Sequence, residues 1–229
     1  MLSSATSPET ASARLVLVPV GSTEQHGPHL PLETDTLIAT AVARGLAERL
    51  GGTDSGVWVA PPVAYGSSGE HQSFPGTVSI GTEALRLVVV ELVRSLRTWV
   101  PKVVLVNAHG GNLMALRAAV DQLVAEGHDV AWMACATEDV DLHAGRTETS
   151  LLLHLAPDLV RSELAEAGDC RPLGEILPAL ISGGVAAVSP NGVLGDPAGA
   201  TADEGRAVLE TMVADLAGRL TERLAEVAG

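Results

Sequence analysis

The stretch Leu15-Val-Leu-Val-Pro-Val20-Gly-Ser-Thr-Glu24-Gln-His26-Gly-Pro-His29-Leu-Pro-Leu-Glu-Thr34-Asp35 decides the fold. It opens with an uninterrupted apolar run of strand length, the pattern of a strand covered on both faces. A polar Gly/Pro loop follows at once. Leu37, Ile38, Ala41, Val42 and Leu46 then share one helical face until Gly51-Gly52 stops the pattern. The same alternation continues downstream, with strands expected at 57–60, 103–106 and 130–134. Helices are expected at 35–50, from a capping Thr82 through Leu96, at 112–125, at 148–155 and at 203–227. The last of these would turn Leu209, Met212, Val213, Leu216, Leu220 and Leu224 inward. Residues 181–202, rich in Gly, Ser and Pro, read as a structured loop with room for a hairpin. Strands alternating with helices indicate an α/β fold on a mostly parallel sheet. No repeat, linker or compositional break divides the 229 residues, so 15–229 reads as a single domain behind a flexible N-terminal tail, 1–14.

Composition narrows the partners. The formal charge is −14, and only five side chains are Trp, Tyr or Phe, so nucleic acid has neither a basic surface nor a stacking platform here. An anionic membrane is disfavoured by the same charge, and no apolar stretch approaches the roughly 18 residues of a span. The single lysine, Lys102, opens an apolar strand, and neither dinucleotide nor Walker glycine motifs occur. Cys135 and Cys170 cannot build a disulfide framework and lack metal-ligand spacing, which reads as a cytoplasmic protein with buried thiols.

The polar residues are informative because of where they fall. Ligands of wound α/β sheets bind beyond the carboxyl ends of the strands. Each expected strand here runs into such residues: Glu24, His26, His29 and Asp35 after the first, Ser67-Ser68-Gly69-Glu70-His71 after the second, Asn107-Ala-His109-Gly-Gly-Asn112 after the third, and His143 to Glu148 after the fourth. Carboxylates and imidazoles without a thiolate suit zinc, iron(II) or manganese, and Asp35 has two oxygens with which to bridge a pair of ions. Each residue also has a plainer reading. Glu24 and His26 could cap a turn, His109 could be a core histidine, and Glu148 could be a first-turn acid favoured by the helix dipole. His143 could ligate, brace its turn or donate a proton to a leaving group. Glu70 and His71 could orient ligands, and His29 could be structural. His128 and His154 read as solvated or packed, and Asn107 and Asn112 as backbone braces.

Taken together, Gly-Ser-Thr-Glu24-Gln-His26-Gly-Pro-His29-Leu-Pro with Asp35, Gly69-Glu70-His71-Gln-Ser-Phe-Pro-Gly76-Thr77, Asn107-Ala-His109-Gly-Gly-Asn112 and His143-Ala-Gly-Arg-Thr-Glu148-Thr-Ser150 resemble the creatininase family of metal-dependent amidohydrolases, in order and across residues 15–215. The resemblance implies a three-layer α/β/α sandwich, a site for two divalent metal ions and a homohexamer. Glu24, His26, Asp35 and His109 match family ligands, with Asp35 as the bridge, and His143 matches the catalytic histidine. Two departures from creatininase itself stand out. Gly111 takes the place of a glutamate ligand, a gap that Glu148 could fill, and Asp139 and Val140 stand where tryptophans close over creatinine. Creatinine is therefore a poor substrate expectation.

The loops without metal ligands resemble the peptidase branch of the family that serves mycofactocin biosynthesis. They include Ala64-Tyr65-Gly-Ser-Ser-Gly-Glu-His71 and Gly183-Gly-Val-Ala-Ala-Val-Ser189 with Gly192-Val-Leu-Gly-Asp196-Pro. That resemblance implies hydrolysis of a modified precursor peptide before its cross-linked C-terminal Val-Tyr unit. Two dications would bring a shared water toward neutrality as the attacking hydroxide, with Ser68 helping to place the substrate. The alternative within the family is an amidohydrolase of a small cyclic amide or a formamide.

Overall fold

The computed structural model describes residues 1–136 and 141–228, with the backbone alone for 222–228. Asp139, Val140 and the Leu224 side chain lie outside the described residues. Four strands, β1 (Leu15–Val20), β2 (Val57–Val59), β3 (Val103–Asn107) and β4 (Val130–Ala134), form one parallel sheet in the order β2-β1-β3-β4. The helices are α1 (Thr34–Arg49), α2 (Thr82–Leu96), α3 (Leu113–Ala125), α4 (Arg146–Leu155), α5 (Leu173–Gly183) and α6 (Ala202–Ala228).

Side chains alternate between the two faces even though the strands are apolar throughout. Leu15, Leu17, Val57, Val59, Val104, Val106 and Met133 pack on one side with residues of α1, α4 and α6. Val16, Val18, Val20, Trp58, Val103, Leu105 and Val130 pack on the other with residues of α2 and α3. This is the expected α/β/α sandwich. The chain leaves β1 through α1 toward β2, then crosses through α2 to β3 on the opposite flank of β1. The strand order therefore reverses between β1 and β3, and a crevice must open where their carboxyl-end loops part.

Some local expectations change. Gly81, not Thr82, occupies the N-cap of α2, with φ +77°, and the Thr82 hydroxyl pairs instead with that of Ser67 at 3.0 Å. A 3-10 turn, Gly110–Asn112, precedes α3, and α4 begins two residues earlier than expected, at Arg146. Residues 181–202 are not all loop. They follow from α5, whose Ile176 and Leu180 pack with Val185, Leu194 and Phe74. Pro178 inside that helix disguised its periodicity. In place of a hairpin within the segment, Leu194 pairs with His143 in an isolated antiparallel bridge. Residues 1–14, expected to fray, carry two 3-10 turns; Met1 and Leu2 pack against the two core clusters, and Ala13 is buried.

Candidate metal centre

The loop after β1 folds back onto the first turn of α1. A Cβ on Gly21 would lie 2.5 Å from the Thr36 nitrogen, so only glycine lets the two segments touch. Ser22 Oγ then donates to Asp35 Oδ2 at 2.8 Å, which brings Asp35 beside Glu24 and His26. The loop after β3 is tied to it by amides. Asn112 Nδ2 donates to the Gly21 carbonyl and to Asn107 Oδ1, both at 3.0 Å, and Asn112 Oδ1 accepts from Ser67 N–H at 2.9 Å. Asn107 Nδ2 donates to the His109 carbonyl at 2.7 Å. His143 arrives through the Leu194 bridge, with backbone bonds of 3.1 and 2.8 Å.

Glu24, His26, Asp35, His109 and His143 are thus brought together, all buried, with Glu148 half-buried at the rim. His109 Nδ1 lies 3.2 Å from Glu24 Oε1 and 3.5 Å from Asp35 Oδ2. His26 Nε2 lies 3.3 Å from the other oxygen, Asp35 Oδ1, and 3.9 Å from Glu148 Oε2. Donors about 2.0–2.2 Å from one tetrahedral ion stand roughly 3.3–3.6 Å apart, so the separations among Glu24, His26, Asp35 and His109 suit direct ligation, while Glu148 at 3.9 Å stands slightly beyond that span. The two oxygens of Asp35 face different donor sets. Among the described residues neither oxygen of Glu24 has a hydrogen-bond partner, although both are buried. An unpartnered buried carboxylate is costly unless a cation meets it, so the donor set fits a divalent metal.

The ring nitrogens turned away from the centre support that reading. His26 Nδ1 faces the Glu24 carbonyl at 3.1 Å, His109 Nε2 the Ser67 carbonyl at 3.3 Å, and His143 Nε2 the Gln25 carbonyl at 2.8 Å. A carbonyl this close requires an N–H, leaving the inner nitrogen as the one a cation or a proton can take.

The charges answer one another. Burial alone would raise the Glu24 carboxyl, but His109, His71 and His26 hold it well below its ordinary value. Burial would likewise lower His26 and His109, yet the facing carboxylates carry them up to about 10 and about 9. Burial takes His71 down to about 4 and His143 well below its usual range, assisted by the neighbouring imidazoles. Burial also raises Glu148 to about 7. Without metal, His26 and His109 are therefore charged at pH 7. Their raised values give a stabilisation complete below about pH 6.5 and lost as pH rises through about 9 to 10. Metal must displace these protons. Zinc loading at pH 7 is expected to release about two protons per chain and to tighten as pH rises. Calorimetry in buffers of different ionisation heat checks this, and loading without proton release would contradict it.

The remaining sequence candidates fall around this centre. His71 Nε2 lies 3.5 Å from Glu24 Oε1. Glu70 Oε1 lies 3.6 Å and Ser68 Oγ 3.4 Å from His109 Nε2. His29 is buried against Thr149 Oγ1 at 2.9 Å, away from the cluster, while His128 is partly exposed and His154 exposed. Glu148 also plays its plainer part, accepting the Ala144 N–H at 2.6 Å. Cys135 is half-buried and Cys170 exposed, so the expectation of two buried thiols fails. Two residues that sequence reasoning passed over, Ser22 and Gln25, brace the cluster, Ser22 through Asp35 and Gln25 through His71. Their one signal was position, between and beside the acids of the first loop. A cavity of about 260 Å³ opens beside His109 and Glu148, lined by Ile38, Leu113, Leu151 and Met212 among others.

Gly111 lies where a Cβ would collide with the Ser67 carbonyl and His109 Nε2 and stand 2.6 Å from Glu70 Oε1. Gly111→Ala is expected to tilt His109 and weaken zinc binding about 10–100-fold, the usual cost of disturbing a ligand's support. Competition with a chromophoric chelator measures it, and unchanged affinity would show that the loop yields.

Comparison with known proteins places this geometry. Residues 3–220 match the family model for creatininase, creatinine amidohydrolase. The mycofactocin precursor peptide peptidase of Mycobacterium ulcerans (strain Agy99) is 57% identical over 209 residues, covering 90% of this chain and 84% of that one. Among solved structures, a manganese form of creatininase aligns with a TM-score of 0.80 at 26% identity, covering 97% of each chain. A creatininase mutant of Zn-Zn type aligns at 0.78 and 25%, again over 97% of each.

Proposed function

The chain belongs to the creatininase family, and on that premise we propose that it is a metal-dependent peptidase of the mycofactocin precursor. It hydrolyses the amide that precedes the cross-linked C-terminal Val-Tyr unit of the modified peptide. The observation that carries the reading is the division of the Asp35 carboxylate, with Oδ2 toward His109 and Oδ1 toward His26. The similarity to the M. ulcerans peptidase supports the substrate.

Glu24, Asp35 and His109 would hold one divalent cation, and His26, Asp35 and Glu148 would hold the second; iron(II), zinc and manganese all suit these donors. When bound, the pair supplies a Lewis acid for the amide carbonyl and a water acidified toward neutrality. His143 works beside them. Its outer nitrogen keeps a proton against the Gln25 carbonyl, so Nδ1 enters the reaction bare, takes the proton of the attacking water and passes it to the departing amine. Ser68 and the backbone of the 67–69 turn orient the peptide, and the apolar cavity beside Glu148 receives a side chain of it.

The same reading treats residues 15–229 as one domain that assembles as a homohexamer. It places the reaction in the cytoplasm, where Cys135 and Cys170 stay reduced. No helix among the described residues is long and apolar enough to cross a membrane. The test is anaerobic incubation of the metal-loaded protein with the modified precursor, followed by mass analysis. Release of the cross-linked Val-Tyr fragment is expected. An intact precursor, with turnover of a small cyclic amide or a formamide instead, would replace this reading.

A further inference from the structure

Three of the four imidazoles at the centre meet a backbone carbonyl with their outer nitrogen, and His71 is built the other way. Its outer nitrogen, Nδ1, meets the side-chain amide of Gln25 at 2.8 Å. The orientation of that amide is set by two backbone groups. Gly27 N–H donates to Gln25 Oε1 at 2.9 Å, and Gln25 Nε2 donates to the Gly192 carbonyl at 3.0 Å. An N–H can face only the oxygen and a carbonyl only the NH₂, so the amide cannot be reversed. Gly192, at φ +82°, makes this possible, since a Cβ there would collide with Gln25 Oε1. One amide proton serves Gly192, and the other is left for the ring nitrogens. His143 Nε2, 3.1 Å away, does not compete for it, because that nitrogen carries its own proton toward the Gln25 carbonyl. His71 Nδ1 must therefore be bare. The proton of its ring sits on Nε2, 3.5 Å from Glu24 Oε1.

We infer that Gln25 is a positioning residue that gives His71 and His143 opposite faces: His143 shows the centre a lone pair, whereas His71 shows it an N–H. The inference rests on the metal-hydrolase reading above. Its consequence concerns the cluster of Glu24, His71 and His143, whose donor atoms lie within 4.8 Å of one another. Judged by separation alone, that cluster is a third cation site. With a proton on His71 Nε2 an N–H rather than a lone pair faces Glu24 at 3.5 Å, so His71 supports the cluster without ligating, and the centre takes two ions.

Neutron diffraction from zinc-loaded wild-type crystals exchanged into D₂O tests this directly. Deuterium is expected on Nε2 of both His71 and His143, with His71 Nδ1 bare and no zinc on His71. Deuterium on His71 Nδ1, or zinc bound to its Nε2, would overturn the inference. Gln25→Glu supplies the function test, since a carboxylate can only accept and would draw the His71 proton to Nδ1. Its kcat on the modified precursor is expected to fall about 10–100-fold with zinc content retained and KM changed less than about threefold. Wild-type kcat in a zinc-loaded Gln25→Glu protein would reject the positioning role of Gln25. The expected deuterium pattern in a protein that leaves the precursor intact would overturn the peptidase reading alone. Cleavage by a protein with the reversed pattern would overturn this inference alone.

Discussion

Asp35→Ala is expected to strip the protein of tightly held metal and to lower kcat/KM by about a thousandfold or more, because metal supplies both the Lewis acid and the acidified water. The reason lies in one side chain serving two donor sets. Its Oδ2 stands with His109 and its Oδ1 with His26, so its loss removes a ligand from both. The substitution also frees the Ser22 hydroxyl and leaves His26 and His109 without a charge that balanced them. Elemental analysis after dialysis, together with the peptide assay, measures both effects. Asp35→Asn separates them: it keeps the Ser22 contact and the shape but removes the charge, and should also lose metal. Full metal content with normal turnover in Asp35→Ala would reject the bridging role.

His143→Ala is expected to behave differently, keeping its metal and lowering kcat about 10²–10⁴-fold, the usual contribution of a positioned proton-transfer group. His143 Nδ1 lies 3.7 Å from Glu24 Oε1, and its ring centroid is 4.3 Å from that of His26 at a tilt of 37°, which sets it among the candidate ligands. His143 also falls in a cluster with His26 and Glu148. The metal content of the variant therefore decides between two roles. Loss of one equivalent of metal with the loss of activity would make His143 a ligand, and unchanged turnover would remove it from the mechanism.

The strands, five of the six helices described and the rim on which the chemistry sits were legible because hydrophobic periodicity is a local property of the chain. Residues 15–20, 103–106 and 130–134 had to be strands of a covered sheet, and polar loops at their carboxyl ends had to share an edge. The α5 helix was missed because Pro178 breaks the local signal while contacts with Phe74, Val185 and Leu194 maintain the helix. The N-terminal turns were missed for a similar reason, since small polar residues carry little periodicity and it is packing of Met1 and Leu2 on the core that orders them.

By itself the sequence determined which residue types could bind metal, that they lay in four separate loops and that no thiolate stood among them. It also carried the family, because motif order is a property of the chain. Only the tertiary structure decided how Asp35 divides its oxygens, that Leu194 delivers His143, that Gly111 must lack a side chain, and that Gln25 reaches His71 and Gly192 at once. Each of these joins residues far apart in the chain. Distance and orientation between loops are set by how the sheet and helices pack, and no local pattern of residues encodes them.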